Sequence, residues 1–414
     1  MPVLTDRSLR DFFTRGHRTA ATGRIGLELE RFVLRPDGGP VPYAGADGVG
    51  GLLAEAARLT GWQEVREGPH LLGLRAPDGA TVSLEPGAQW EWSSSICNGL
   101  PELAARLAAW QTIESELEQR CKIRFVSVGA HPSAAPDDLP TIPKARYAIL
   151  EPWLKSQGTL GVWMMKCSCG VQVNLDHADE SDAMRKLRTA LRLAPIFQAI
   201  FANSPVAAGR QTGYASFRER IWSQTEPTRC GMPEALARDG STFDDYVAWA
   251  LQAPMLFVER EGALRDLRGK SFRDWMSEGA ATEADWQLHL STLFPAARFR
   301  PHLELRSADS VPADLALGYA ALARAVFDRP HALAAAERLG GEWSVAQREA
   351  AWSSAQRQGL AGADPAGGRL LDRARALLQL AQPRAEEEGF LQPVRDLLAD
   401  GRSLAERRMQ PAAI

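Results

Sequence analysis

The chain has 414 residues, a formal net charge of −3, 45% hydrophobic and 24% charged residues, the balance of an ordinary globular protein large enough for a sizeable core. It lacks the basic excess that neutralises a phosphate backbone, which argues against a nucleic-acid partner. No uncharged run reaches the roughly 18 residues needed to cross a bilayer, and "MPVLTDRSLRDFFTRGHRTA" holds no apolar stretch of signal-peptide length, so the expectation is a cytoplasmic protein with no membrane partner.

In chain order, the first segment of note is "RIGLELERFVL" (24–34). Its alternation predicts a strand with Ile25, Leu27 and Leu29 on one face and Gly26, Glu28 and Glu30 on the other. Two like charges on one face fit either a solvated surface or a wall facing something cationic. The turns "RPDGGP" (35–40) and "APDGA" (76–80) join short alternating segments and predict antiparallel hairpins. Helical spacing of apolar residues predicts helices over 49–62 and 100–122, and again over 180–204 and 243–258.

Between them, "TVSLEPGAQWEWS" (81–93) places Glu85 before a Pro-Gly turn and alternates Gln89 and Glu91 with Trp90 and Trp92. "GVQVNLD" (170–176) alternates Gln172, Asn174 and Asp176 with Val171, Val173 and Leu175. In "SFRERIWSQTEPTRCGM" (216–232), Arg218 and Arg229 bracket Trp222, and in "PHLELRSAD" (301–309) His302, Glu304 and Arg306 share a face. From about residue 311 the chain is rich in Ala, Leu and Arg, with helical periodicity and no strand candidate. This predicts a core over 1–310 and a helical region over 311–414 packed on it.

Several familiar chemistries lack their motif. "GALRDLRGKS" (262–271) has six residues between its glycines where a phosphate loop needs four, and is read as a hairpin turn. No H-E-x-x-H, G-x-S-x-G or strand-linked G-x-G-x-x-G occurs. Cys97, Cys121, Cys167, Cys169 and Cys230 are an odd number without framework spacing, as expected of buried, reduced thiols.

What remains is the recurring oxygen-rich face. If the four segments pair in one sheet, Glu28, Glu30, Glu85, Glu91 and Glu304 gather around one cavity, where like charges in reduced dielectric require cations. Glutamates with an amide side chain form a hard oxygen set suited to Mg²⁺ or Mn²⁺, and Mg²⁺ held this way implies a phosphate substrate, most simply ATP. Arg218, Arg229 and Arg306 are natural clamps for a carboxylate or a transferring phosphoryl group.

These residues carry a resemblance. "RIGLELERF", "SLEPGAQWEWS", "PKARYAIL", "LGVWMMKCSCGVQVNLD", the block around "SFRERIWSQTEPTRCGM", "FDDYVAWALQAPMLFV" and "ADWQLHLSTLFPAARFRPHLELRSADSVP" resemble, in order, the plant-type and proteobacterial glutamate–cysteine ligases and the related actinobacterial ligase of ergothioneine biosynthesis. The resemblance implies an α+β, glutamine-synthetase-like catalytic domain: a curved, mainly antiparallel sheet forming a cavity, flanked by helices, with a helical C-terminal layer. It implies L-glutamate, L-cysteine and ATP as substrates, with Mg²⁺ (or Mn²⁺) on Glu28, Glu30, Glu85, Glu91, Gln172 and Glu304. Arg218, Arg229, Arg306 and Trp222 would lie near glutamate or the phosphate, Arg306 and Arg218 acting in catalysis, with Gln172 and Asn174 beside the nucleotide.

The implied reaction joins the glutamate γ-carboxylate to the cysteine amine through γ-glutamyl phosphate, for glutathione or ergothioneine, in a monomer or homodimer. Alternatives are a γ-glutamyl ligase with a different acceptor amine and a non-catalytic nucleotide or glutamate binder. The chain departs from the plant-type pattern at Cys167, usually a basic residue, and at the two tryptophans of "WEW" (90–92), which implies an altered pocket around them.

Overall fold

The structure, a computed structural model, describes residues 4–18, 23–45 and 47–409. The fold is α+β, and its centre is a mainly antiparallel sheet of nine strands among the described residues. The strands used below are β1 (Ile25–Leu34), β2 (Gln63–Glu67), β3 (His70–Arg75), β4 (Thr81–Leu84), β5 (Trp90–Ser93), β6 (Arg124–Val126) and β7 (Gly170–Leu175). The sheet runs Ala297–Phe299, Leu303–Asp309, β7, β1, β5, β4, β3, β2, with β6 on the far half of β1.

The strands that carry the oxygen-rich faces are therefore neighbours: β5, β1, β7 and Leu303–Asp309 lie side by side. Register sets Glu30 opposite Glu91, Glu28 opposite Gln172, Gly26 opposite Asn174, and Asn174 opposite Glu304. Since side chains alternate across a strand, this register puts every one of them on a single face. The other face is apolar: Ile25, Leu27, Leu29, Trp90, Trp92, Val171 and Val173 are buried.

Helices cover that apolar face. α6 (Glu180–Ile200) starts at Asp179, whose side chain accepts from the Asp182 N–H, and from Thr189 onward every residue to Ile200 is buried. It packs on Leu303–Asp309, while the helix Ala313–Phe327 packs on β1 and β7. Because one face is apolar and buried while the other is polar, a slip by one residue would exchange the two sets, so hydrophobic patterning fixes the register. At the other end, α1 (Asp6–Thr14) is closed by a capping box between Thr5 and Ser8 and buries Leu9, Phe12 and Phe13. No described helix is long and apolar enough to cross a membrane.

Three boundaries differ from the sequence expectation. The helix expected over 243–258 is Phe243–Ala250, and Phe257–Arg260 is a strand. Pro254 lacks a donor and disfavours helical geometry at Ala253, so the chain must leave the helix. That strand turns at Gly262 (φ +75°) into Ala263–Asp266, so the stretch 262–271, expected as a hairpin turn, holds only the end of the turn and supplies the returning strand. The expected 180–204 helix stops at Ile200. The turn at 35–40 forms one bridge, Leu34 to Pro40, and no second strand, because Pro40 and Pro42 have no N–H to extend a ladder.

Candidate active site

On the oxygen-rich face the sheet bounds a cavity of about 230 Å³. Glu28, Glu30, Glu85, Glu91 and Gln172 line one side, with Arg146 beside Glu85 and Glu91, and Arg298, Arg300 and Arg306 line the other. Glu85 comes from the turn after β4, where its carbonyl accepts from the Ala88 N–H at 2.8 Å. That turn lies on α5 (Gly161–Cys167) so closely that a Cβ on Gly87 would stand 2.3 Å from the Lys166 carbonyl oxygen. Gln89 fixes the approach by donating to the Met165 and Ser168 carbonyls at 3.0 and 3.1 Å.

Amides orient two of the carboxylates. Gln172 donates to Glu30 Oε1 at 2.8 Å, the Gly170 N–H donates to Glu30 Oε2 at 2.6 Å, and Asn174 donates to Glu28 Oε1 at 2.9 Å. The electrostatics are unbalanced on this side. Burial raises the Glu28 carboxyl, with Glu304 adding to it, and pushes Glu30 up to about 7 against the pull of Arg218. Burial together with Glu85, Glu28 and Glu30 drives Glu91 well above the carboxylate range. Gln172 Oε1 is buried without a partner among the described groups.

The opposite wall is balanced. Glu304 meets Arg298 through Nε at 2.8 Å and Nη2 at 3.0 Å, also pairs with Arg306, and lies 3.6 Å from Arg300. Burial alone would raise this carboxyl, yet the three guanidinium groups hold it well below its ordinary range. Arg306 stands over the rings of Trp222 and Phe294 at 5.7 and 5.8 Å, which fixes its plane at the cavity wall.

With this geometry in place, the comparison with known families is decisive. The family model for glutamate-cysteine ligase family 2 (GCS2) matches residues 24–412. The chain belongs to this family. It is 32% identical over 420 residues to a chloroplastic glutamate–cysteine ligase of Medicago truncatula, covering 98% of this chain and 82% of that one. The chloroplastic glutamate–cysteine ligase B of Oryza sativa subsp. japonica is 33% identical over 418 residues, with 98% and 83% covered. A solved glutamate–cysteine ligase of Francisella tularensis, in complex with AMP, superposes with a TM-score of 0.56 at 12% identity, over 94% of this chain and 84% of that one, a likeness of fold.

The family fold distributes the other sequence-selected residues unevenly. Trp222 lines the cavity. Arg218 lies behind it, buried against Gly170, donating to the Arg306 carbonyl at 3.3 Å and acting on Glu30 through space. A Cβ on Gly170 would stand 2.5 Å from Arg218 Nη2, so glycine is what admits the guanidinium. Asn174 also stays outside the lining and acts through Glu28.

Arg229 departs from the expectation that it meets substrate. It is fully buried, and its guanidinium is consumed by Glu226 at 2.6 Å, the Thr292 hydroxyl at 3.0 Å and the Pro254 carbonyl at 2.7 Å. Glu226 in turn accepts from the Trp153 indole at 2.8 Å, which makes a closed internal network. The sequence departures also fall away from the cavity: Cys167, Trp90 and Trp92 are buried on its reverse or beneath it.

Sequence reasoning missed Arg298, Arg300, Arg146 and Tyr147. Arg298 was reachable, since "RFRPHLELR" read as a hairpin about Pro301 places it opposite Glu304. Arg146, which donates to the Tyr147 hydroxyl at 3.2 Å, had no periodic signal, and only the fold brings it to Glu85 and Glu91.

Proposed function

We propose that the protein is an ATP-dependent glutamate–cysteine ligase that joins the γ-carboxylate of L-glutamate to the amine of L-cysteine, giving γ-glutamylcysteine for low-molecular-weight thiol synthesis in the cytoplasm. The observation that carries this reading is the two-sided cavity. Carboxylates short of positive charge face arginines that are already aligned. Membership of the family and the names of the relatives point the same way.

The carboxylate side fits a hard divalent cation. Its donors are all oxygens, one of them the partnerless Gln172 Oε1, and Glu28, Glu30 and Glu91 are held toward the neutral form, the condition a bound cation relieves. Among the described residues no three acidic, His or Cys groups converge on one point. A divalent cation would therefore be held by pairs of protein oxygens, Glu28 with Gln172 and Glu30 with Glu91, with Glu85 nearby. Glu304, engaged by three arginines, joins that set only if Arg298 or Arg306 turns away. Bound Mg²⁺ supplies charge neutralisation to the phosphates.

The chain's own residues then do the rest. Arg306, held by Glu304 and by the rings of Trp222 and Phe294, meets the negative charge of the phosphoryl group as the glutamate γ-carboxylate attacks it. Arg298 and Arg300 extend that positive wall. Phe257, Phe294, Met164 and Met165 narrow the cavity and exclude water from the γ-glutamyl phosphate until the cysteine amine displaces phosphate. No covalent enzyme intermediate is needed. The test is ADP release with glutamate and a panel of amines, where turnover with cysteine no faster than with alanine sinks the assignment.

A further inference from the structure

We propose that Asp309, which does not line the cavity, is a positioning residue for the phosphoryl step: it fixes the depth at which the helix Phe217–Ser223 carries Arg218 and Trp222 to the site. The inference rests on the ligase reading and adds to it a group that acts only through others.

Strand alternation alone would turn Asp309 away. In Leu303–Asp309 it stands three residues after Arg306, an odd step that leads to the opposite, apolar face. The register against β7, however, shifts between Leu305 and Ala308 and sets Asp309 opposite Gly170. The extra residue returns Asp309 to the face of Glu304 and Gln172, as bulges beside active sites re-aim a side chain. There it is buried, and a Cβ on Gly129 would stand 2.4 Å from its Cγ, so glycine is what admits the carboxyl group.

The carboxylate is engaged on both oxygens. Oδ2 accepts from the Asn203 N–H at 2.7 Å and the Ser204 hydroxyl at 2.6 Å, and Oδ1 accepts from the Ser216 hydroxyl at 2.8 Å. Each hydroxyl accepts in turn from the first turn of the helix, Ser204 from the Arg218 N–H at 3.1 Å and Ser216 from the Glu219 N–H at 3.2 Å. A hydroxyl that donates to a carboxylate keeps its lone pairs for the next donor, so one charge holds two consecutive peptide groups of the helix. From the other side, the Ala215 and Ser216 N–H groups donate to the Arg357 and Gln356 carbonyls at 3.1 and 3.0 Å, and the Trp352 indole donates to Glu219 at 3.2 Å. The turn is thus gripped from within and from without.

That grip reaches the reacting groups. Arg218 extends from this turn to the Arg306 carbonyl, and Trp222, one turn further, supplies a ring beneath the Arg306 guanidinium. A shift of the helix therefore moves the guanidinium that meets the phosphoryl group, and misplacement by about 1 Å is enough to lower a rate about 100-fold.

The experiment measures ADP release with glutamate and cysteine by full-length Asp309→Asn, Arg218→Lys and the double variant, with melting curves to show which remain folded. Asp309→Asn should lower kcat about 10- to 100-fold while the KM for cysteine stays within about twofold. The double variant should be no more than about twofold slower than the slower single variant, because both changes act through one guanidinium. Ser204→Ala and Ser216→Ala, which cut one link each and leave the carboxylate, should lower kcat about threefold or more, and they carry the test if Asp309→Asn does not fold. Folded variants with unchanged kcat and only a lowered melting temperature make Asp309 a purely structural residue and overturn the proposal, as do losses that multiply in the double variant. If the unmodified protein releases no ADP with glutamate and cysteine, the ligase reading itself fails and takes the proposal with it.

Discussion

At the scale of single residues, the two walls of the cavity differ in what removal of one side chain does. Glu28 lies among carboxylates and is oriented by Asn174. Replacing it with Gln keeps volume and the amide contact but removes a charge that a cation needs. Glu28→Gln is expected to lower ADP release by at least about 100-fold with a melting temperature that does not fall; unchanged turnover would refute the metal assignment. Arg229 is the opposite case. Arg229→Leu strands a buried Glu226, so unfolding by denaturant should show a loss of about 3–5 kcal/mol. Enzyme that remains folded should keep its KM for glutamate within about twofold. A large KM change with native stability would return Arg229 to the substrate.

At the scale of elements, the turn Glu85–Gln89 delivers a carboxylate only because Gly87 lets it lie on α5. Gly87→Ala must push the Lys166 carbonyl away and is expected to cost about 1–3 kcal/mol in denaturant unfolding, with a raised Mg²⁺ requirement as Glu85 shifts. Period-two alternation makes the faces of β1, β5, β7 and Leu303–Asp309 legible in the amino-acid order alone, because a half-apolar strand has one way to bury itself. Which strands become neighbours is not written in any one of them. Arg229 shows the same limit: sequence reveals a guanidinium near a tryptophan, whereas the partners that consume it, Thr292 and Pro254, arrive from 63 and 25 residues away. Arg146 and Tyr147 lie on a helix edge whose pattern reports core packing and nothing of the cavity.

At the scale of the whole molecule, one hydrophobic cluster runs from Leu9 in α1 to Leu398 near the C-terminus, so strain in the cavity is carried by the entire fold. Glu30 carries such strain. Its folded value, about 7, lies above the ordinary 4.5, so the folded state holds a proton that the unfolded chain releases earlier. The stabilising contribution is full below about pH 4.5 and is lost as pH rises to about 7, and Glu28 and Glu91, also raised, add to the same trend. The ligand-free protein should therefore melt at falling temperature between about pH 5 and 7. A cation facing these carboxylates favours their charged forms and cancels the loss, so Mg²⁺ with ADP should raise the melting temperature more at pH 8 than at pH 6. Scanning calorimetry at both pH values, with and without the ligands, gives the comparison. An increment equal at the two, or larger at pH 6, would mean that the raised carboxylates are not the groups that meet the cation.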